Sequence, residues 1–266
     1  GCAFPDEIKS AAFRVADFVD IPVDNLFIYM KRTSIFLIVL AAIAVFGSCS
    51  KNNEAYYRAT ATLKSQEGGT FFLEVNDSTA LVPVNVKQNP YPQFKERRCL
   101  LVYTYSKQAS KISIPGYKYA EYINLDAIDT VRTKNLVPHT DDDDVTYGNA
   151  YTGLYLPISG YFPYSDIEDG YLCVSFAFRT LLIGKTHVFN VVKGVDPENP
   201  YLLELRHESK GDDAGALVAG YFAFPLKDLP PTGGKTVTLT LRWNSMNSFE
   251  KKEYSMPYCS RTDWPE

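Results

Sequence analysis

This chain is short of the residues that most enzymes work with. It holds three histidines, at positions 139, 187 and 207, and five cysteines among 266 residues. No His-Glu-x-x-His pair and no Gly-x-Ser-x-Gly turn occurs, which removes the commonest zinc-hydrolase and serine-hydrolase signatures. Gly233-Gly234-Lys235-Thr236 ends like a phosphate-binding loop, but Leu229 stands where the first glycine is needed. A strand pattern follows it, so no helix N-terminus awaits a phosphate, and the segment reads as a hairpin turn. The run Asp141–Asp144 lacks the glycine and the distal glutamate of an EF-hand loop and reads as a solvated acidic surface. Asp166, Glu168 and Asp169 precede a strand and read as turn formers. His187 opens a strand and His207 follows one, positions of ordinary structural histidines. No catalytic residues, no metal site and no cofactor are expected, and the chain does not read as an enzyme.

Charge excludes another class. Lys and Arg number 27 against 31 Asp and Glu, for a formal net charge of −4. A weakly acidic, mixed surface offers no electrostatic footprint for nucleic acid. Amphipathic helical periodicity and internal repeats are also missing from the body of the chain, which argues against βαβ units and solenoids.

What the chain has in quantity is β-sheet material, with 19 Tyr and 16 Phe beside many Val and Thr. Tyr57, Ala59, Ala61 and Leu63 alternate with Arg58, Thr60, Thr62 and Lys64, the period of two that marks a half-buried strand. Further strands are predicted around Phe71–Val75, Ala80–Val84, Cys99–Tyr105 and Tyr119–Val131, with turns at Gly68-Gly69 and Asn76-Asp77-Ser78. Five short strands in so few residues suit a small closed barrel of the OB type, which has no open sheet edges, and an SH3-like barrel would read much the same. A second series follows: Leu172–Phe178, His187–Val192, Tyr201–Arg206, Val218–Leu226 and Thr236–Trp243. Its spacing implies a β-sandwich of immunoglobulin-like character. The fold class is therefore all-β: a small OB-like barrel followed by a sandwich.

One long apolar run stands apart. Met30-Lys31-Arg32 supplies a positive start, Ile35–Phe46 is wholly apolar, and Gly47-Ser48 precede Cys49. Twelve apolar residues fall inside the roughly 7–15 of a cleaved export signal and are too few to cross a hydrocarbon core of about 30 Å as a helix. Small residues directly before a cysteine suit a peptidase that cleaves in front of a lipid-modified thiol. The expected organisation is 1–29 an upstream extension outside the mature protein, 30–48 a lipoprotein signal peptide, and 49–136 the barrel. An acidic linker at 137–150, the sandwich at 151–261 and a tail at 262–266 complete it. Cys49 is the expected lipidation site and membrane anchor. Of the other cysteines, Cys99 and Cys173 fall in apolar strands, where a buried thiol is usual.

Tyr147, Tyr151, Tyr155, Tyr161, Phe162 and Tyr164 crowd the entry to the second series of strands. Aromatics on loops are common interaction anchors, and Tyr155, Tyr161, Phe162 and Tyr164 are the candidate ligand-binding residues. Their competing role is to fill a seam between barrel and sandwich.

The stretch Tyr201-Leu202-Leu203-Glu204-Leu205-Arg206-His207-Glu208, then Gly211-Asp212, Phe224-Pro225-Leu226 and Gly234–Ser245, resembles the NigD-like lipoproteins of Bacteroidetes. The resemblance continues through Tyr258-Cys259-Ser260-Arg261 and, more loosely, back over the first strands and the leader. It implies an OB-like N-terminal domain, a C-terminal β-sandwich, a lipidated cysteine at Cys49 and a role in bacteriocin immunity. It implies no catalytic or ligand-binding residues. The expectation is a non-enzymatic envelope lipoprotein that binds a protein or a glycan partner, with an outer-membrane position facing the periplasm preferred over the cell surface. The alternative is a glycan-binding or surface-assembly accessory lipoprotein.

Overall fold

The structure is a computed structural model, and it describes residues 55–107, 112–181 and 185–265. The expected export leader and Cys49 lie outside the described residues.

Five strands close a barrel: β1 (Tyr57–Ser65), β2 (Phe71–Asn76), β3 (Thr79–Pro83), β4 (Glu96–Tyr105) and β5 (Tyr119–Thr130), in the order β1-β2-β3-β5-β4. Closure follows from the alternation. Ala61 and Leu63, Leu73, Leu81, Cys99 and Leu101, and Ile123 and Leu125 point inward and leave almost no surface exposed. All neighbours are antiparallel except β3 and β5, whose parallel pairing runs from Thr79↔Tyr119 to Pro83↔Ile123.

A two-sheet sandwich follows. One sheet orders β6 (Arg132–Thr133), β13 (Ala216–Pro225), β10 (Tyr171–Thr180) and β8 (Gly153–Leu154), with β9 (Asp166–Glu168) also on β10. The other orders β15 (Lys251–Tyr258), β14 (Val237–Asn244), β12 (Leu202–Glu208), β11 (Val188–Lys193) and β7 (Val137–Pro138). Between them lie Leu172, Val174, Phe176, Phe224, Val191, Leu203, Leu205, Leu239, Leu241 and Trp243. The chain is thus all-β, a closed barrel followed by a sandwich.

The join differs from the sequence reading. Residues 132–138, expected partly in the barrel and partly in an acidic linker, feed both sheets of the sandwich through β6 and β7. The run at 141–144 is equally structured. It opens a short helix α1 (Asp143–Tyr147), with the Asp142 carboxylate accepting from the Val145 N–H at 3.1 Å. Asp143 is buried and accepts from the Thr140 N–H and hydroxyl, both at 2.8 Å. Asp144 pairs with Arg206. Capping, hydrogen bonding and ion pairing, which absorb local carboxylates at a helix start, explain why Asp142, Asp143 and Asp144 belong to the folded body. Residues 262–265, expected as a tail, set Trp264 against Tyr171 with ring centroids 5.1 Å apart.

Candidate functional site

In the sandwich and where it meets the barrel, three constellations of the described residues carry polar chemistry or exposed rings, and the strand pattern explains how each arises.

The first is the contact between barrel and sandwich. Alternation in β1 and β4 puts Thr62 and Lys64, and Glu96 and Arg98, on the outside of the barrel. Thr62 and Arg98 are nonetheless fully buried, because the sheet carrying β9, β10 and β13 covers that face. The outward polar residues become a buried ionic seam. Glu96 accepts from Arg261 Nη1 at 3.0 Å and Nη2 at 2.9 Å, from the Tyr171 hydroxyl at 2.7 Å and from Lys64 Nζ at 3.3 Å. Lys64 also lies 3.1 Å from Glu74 and 2.9 Å from Asp169. Arg98 donates to Thr62 Oγ1 at 3.0 Å. Burial alone would raise the Glu96 carboxyl, but the Arg261 hydrogen bond and the Lys64 charge hold it below the usual range. At Glu168 burial, then the neighbouring Asp166 charge, outweigh the pull of Arg98 and push the carboxyl up to about 8. Burial likewise lifts Asp166 to about 6, against the pull of Arg98. Asp169 does form a turn, with φ of 49° ahead of Gly170 at 73°. The sequence reading of Asp166, Glu168 and Asp169 as turn formers therefore needs correcting: Asp166 and Glu168 lie in β9 and face Arg98, and Asp169 pairs with Lys64 in the seam.

The second is a buried hydrogen-bonded chain in the sandwich. Thr152 Oγ1 lies 3.2 Å from His207 Nδ1, His207 Nε2 lies 2.8 Å from His187 Nδ1, and His187 Nε2 lies 3.3 Å from Asp212 Oδ2. Asp212 also accepts from the Thr180 hydroxyl at 2.7 Å and the Leu181 N–H at 2.7 Å. Those donors, the Leu181 N–H foremost, keep its carboxyl low. Burial and then the second imidazole push His207 down to about 4, so it is neutral at pH 7. The stack of Phe189 on His207, with centroids 4.2 Å apart, and Phe178 on His187, at 4.5 Å, closes the chain in. A nucleophile reaching solvent is not part of it. Sequence reasoning took the two histidines singly. The β11–β12 register, which pairs Phe189 with His207, places His187 two residues along the same face.

The third is the loop after β8. Its base is fixed on β10 by Tyr155 N–H to Ser175 O at 2.9 Å and closed across the loop by Ser165 N–H to Tyr155 O at 2.7 Å. Between those anchors the chain swings out. Ile158 is 90% exposed and Tyr161 is 53% exposed. The structure brings Tyr155 and Tyr161 together, with centroids 4.9 Å apart. Phe162 and Tyr164 are half-buried, and Tyr164 lies near Asp166 and Glu168. Nearby on the sandwich, Tyr151 and Phe249 form a second exposed pair at 5.2 Å.

No group of three or more His, Cys, Asp or Glu side chains is arranged to hold a metal among the described residues. A shallow surface depression of about 430 Å³ is lined by His139, Lys193, Asp196, Asp228 and Pro230, and it converges on no reactive group.

Residues 136–258 match the model of the NigD-like C-terminal beta sandwich domain. Among solved structures, a protein from Parabacteroides distasonis provisionally described as toxin related is 26% identical with a TM-score of 0.58, over 77% of this chain and 94% of that one. A NigD-like immunity protein from Bacteroides caccae is 16% identical with a TM-score of 0.52, over 76% of this chain and 96% of that one. A protein from Bacteroides fragilis provisionally described as a lipoprotein is 14% identical with a TM-score of 0.51, over 78% of this chain and all of that one, 100%. The last two likenesses speak to the fold alone. No curated protein matches the chain.

Proposed function

We propose that this chain, whose residues 136–258 belong to the NigD-like C-terminal β-sandwich family, is a lipid-anchored envelope protein that binds a macromolecular partner and performs no catalysis. Cys49 is the acylated residue in this reading, following the leader Met30–Ser48. Each buried CH₂ of an acyl chain contributes about 0.8 kcal/mol, so more than one chain gives a stable anchor. An outer-membrane position facing the periplasm fits the leader.

The observation that carries the binding role is the loop at 155–164. Its aromatics had two possible homes, and the seam is already filled by Lys64, Glu96, Asp169 and Arg261. Ile158 and Tyr161 stand in solvent instead, on a base pinned to β10. Exposed apolar and aromatic groups on a rigid base are what a protein interface uses as anchors.

In this reading the partner is a toxin or its target, and the names of two similar structures support it: one is called a NigD-like immunity protein and another is described as toxin related. We assign immunity against a bacteriocin as the role, acting on the toxin or on its membrane target. Expression in a toxin-sensitive strain, followed by challenge with the cognate toxin, tests it. Survival that is lost in the Ile158→Asp/Tyr161→Ala variant supports the assignment, and unchanged killing by the toxin rejects it.

A further inference from the structure

The barrel end at which β1 begins carries tyrosines that closing the core does not require. Tyr57 is opposite Tyr103 in the β1–β4 ladder. Their rings and that of Tyr105 form a triad, with centroids 5.7 Å apart for Tyr57 and Tyr103, 4.9 Å for Tyr57 and Tyr105, and 5.6 Å for Tyr103 and Tyr105. Tyr103 is buried and caps the barrel core. Tyr105 is 46% exposed, and Tyr56, just before β1, is 49% exposed. Because Tyr105 pairs with Ile123 and β5 runs against β4, the start of β5 projects past the same end. Tyr119, its first residue, is 50% exposed, with the Lys118 ammonium 5.0 Å from its ring centroid.

Two observations decide what covers this end. One is chemistry. A tyrosine carries an apolar ring and a hydrogen-bonding tip, so it is stable where one side is apolar and the other wet, as at the headgroup level of a bilayer. A lysine beside such a ring reaches headgroup phosphates from the same place. The other is chain length. Tyr56 follows Cys49 by seven residues, a span of at most about 25 Å fully extended. That is shorter than the roughly 40–45 Å thickness of a bilayer with its headgroups. An acyl group on Cys49 therefore holds the barrel end at which β1 begins close to the membrane.

We propose that Tyr56, Tyr105 and Tyr119 form a membrane-docking surface that seats the barrel end on the lipid interface of the bilayer in which Cys49 is anchored. The proposal rests on the lipid-anchored reading given above. With it, the protein has two attachments to the membrane, one covalent and one through side chains, and the barrel holds a fixed orientation on the bilayer.

The test uses the full chain made in a bacterium that processes lipoproteins, mixed with phosphatidylethanolamine–phosphatidylglycerol vesicles whose acyl chains are brominated near the headgroup. Tryptophan is placed at the docking surface as Tyr105→Trp, with Tyr119→Trp as a second reporter should the first fail to fold. Leu217→Trp on the sandwich is the control, and emission from the chain's own two tryptophans is subtracted with the unsubstituted protein. The expected result is loss of most of the added emission at 105 or 119 and no loss at 217. Intact mass of the same samples separates the two readings. Acyl groups present without quenching at 105 and 119 overturn the docking surface and leave the anchor standing. Quenching at 105 and 119 without acyl groups supports the surface and removes the anchor. Equal quenching at all positions overturns the docking surface, and shielding of 105 and 119 from bromine by a co-purifying protein does the same.

Discussion

Arg261 grips Glu96 with two parallel hydrogen bonds, at 3.0 and 2.9 Å, across 165 positions of sequence. The segment after the last strand is thereby fastened to the outer face of the barrel. The grip has company on both sides, since Arg261 also meets Asp169 at 3.2 Å and lies 4.8 Å from the Trp264 ring centroid. Charges placed this far from solvent are stable only while fully paired.

Removing one partner therefore costs more than a surface ion pair would. Glu96→Ala leaves Arg261 and Lys64 facing Glu74 and Asp169 without their central acceptor, and should destabilise the fold by about 3–5 kcal/mol. Urea denaturation measures it. A loss below about 1 kcal/mol, the range of an exposed pair, would show that the barrel and the sandwich are not coupled through this seam.

A steric argument applies at the neighbouring turn. A Cβ at Gly170 would lie 2.7 Å from Cζ2 of Trp264 and 3.0 Å from Cβ of Arg261, at a φ of 73°. Gly170→Ala should displace the Trp264 ring and shift its emission toward that of solvent-exposed tryptophan, with a stability loss of about 1–3 kcal/mol. Unchanged emission and stability would contradict the packing of the final residues on the seam.

The buried histidines give the chain an acid-sensitive element. His207 has a folded pKa of about 4 against an ordinary 6.5, so the unfolded chain takes up the proton first as pH falls. Its contribution to stability is complete above pH 6.5 and is lost progressively down to about 4, by an amount on the order of 3 kcal/mol. His207→Gln should flatten that limb of the stability–pH curve. An identical acid limb in the variant would place the sensitivity elsewhere.

Glu168 acts in the opposite direction. Its folded pKa is raised from 4.5 to about 8, so the folded chain holds the proton longer. Its contribution is complete below pH 4.5 and falls as pH rises through 8. Glu168→Gln should remove the decline between those values, read as a denaturation midpoint that no longer drops from pH 5 to 8. A decline equal to that of the unsubstituted protein would contradict the assignment.

How much of this was legible in the sequence depends on which face of a strand is asked about. Inward faces were plain: Ala61, Leu63, Leu239, Leu241 and Trp243 alternate with polar residues and are buried as expected. Outward faces were misleading wherever a second layer covers them. Thr62 and Lys64 read as the polar face of their strand, yet the sandwich lies over them and over Glu96 and Arg98 on the neighbouring β4, and nothing local to β1 or β4 announces it. Strand β15 carries no legible alternation, because of its inward residues only Met256 and Tyr258 are buried, while Lys251, Lys252 and Glu253 are exposed at the sheet edge. Strands β6 and β7 are two residues each and carry no period. The His187–His207–Asp212 chain needed the β11–β12 register, and Asp212 joins it from a separate turn.

The account turns on the covalent anchor, and intact-mass analysis of the protein made in a lipoprotein-processing bacterium tests it most directly. The predicted result is a chain that begins at Cys49 with acyl groups added, which disappear from the Cys49→Ala variant. A mass that retains residues 30–48 and carries no acyl group would contradict it.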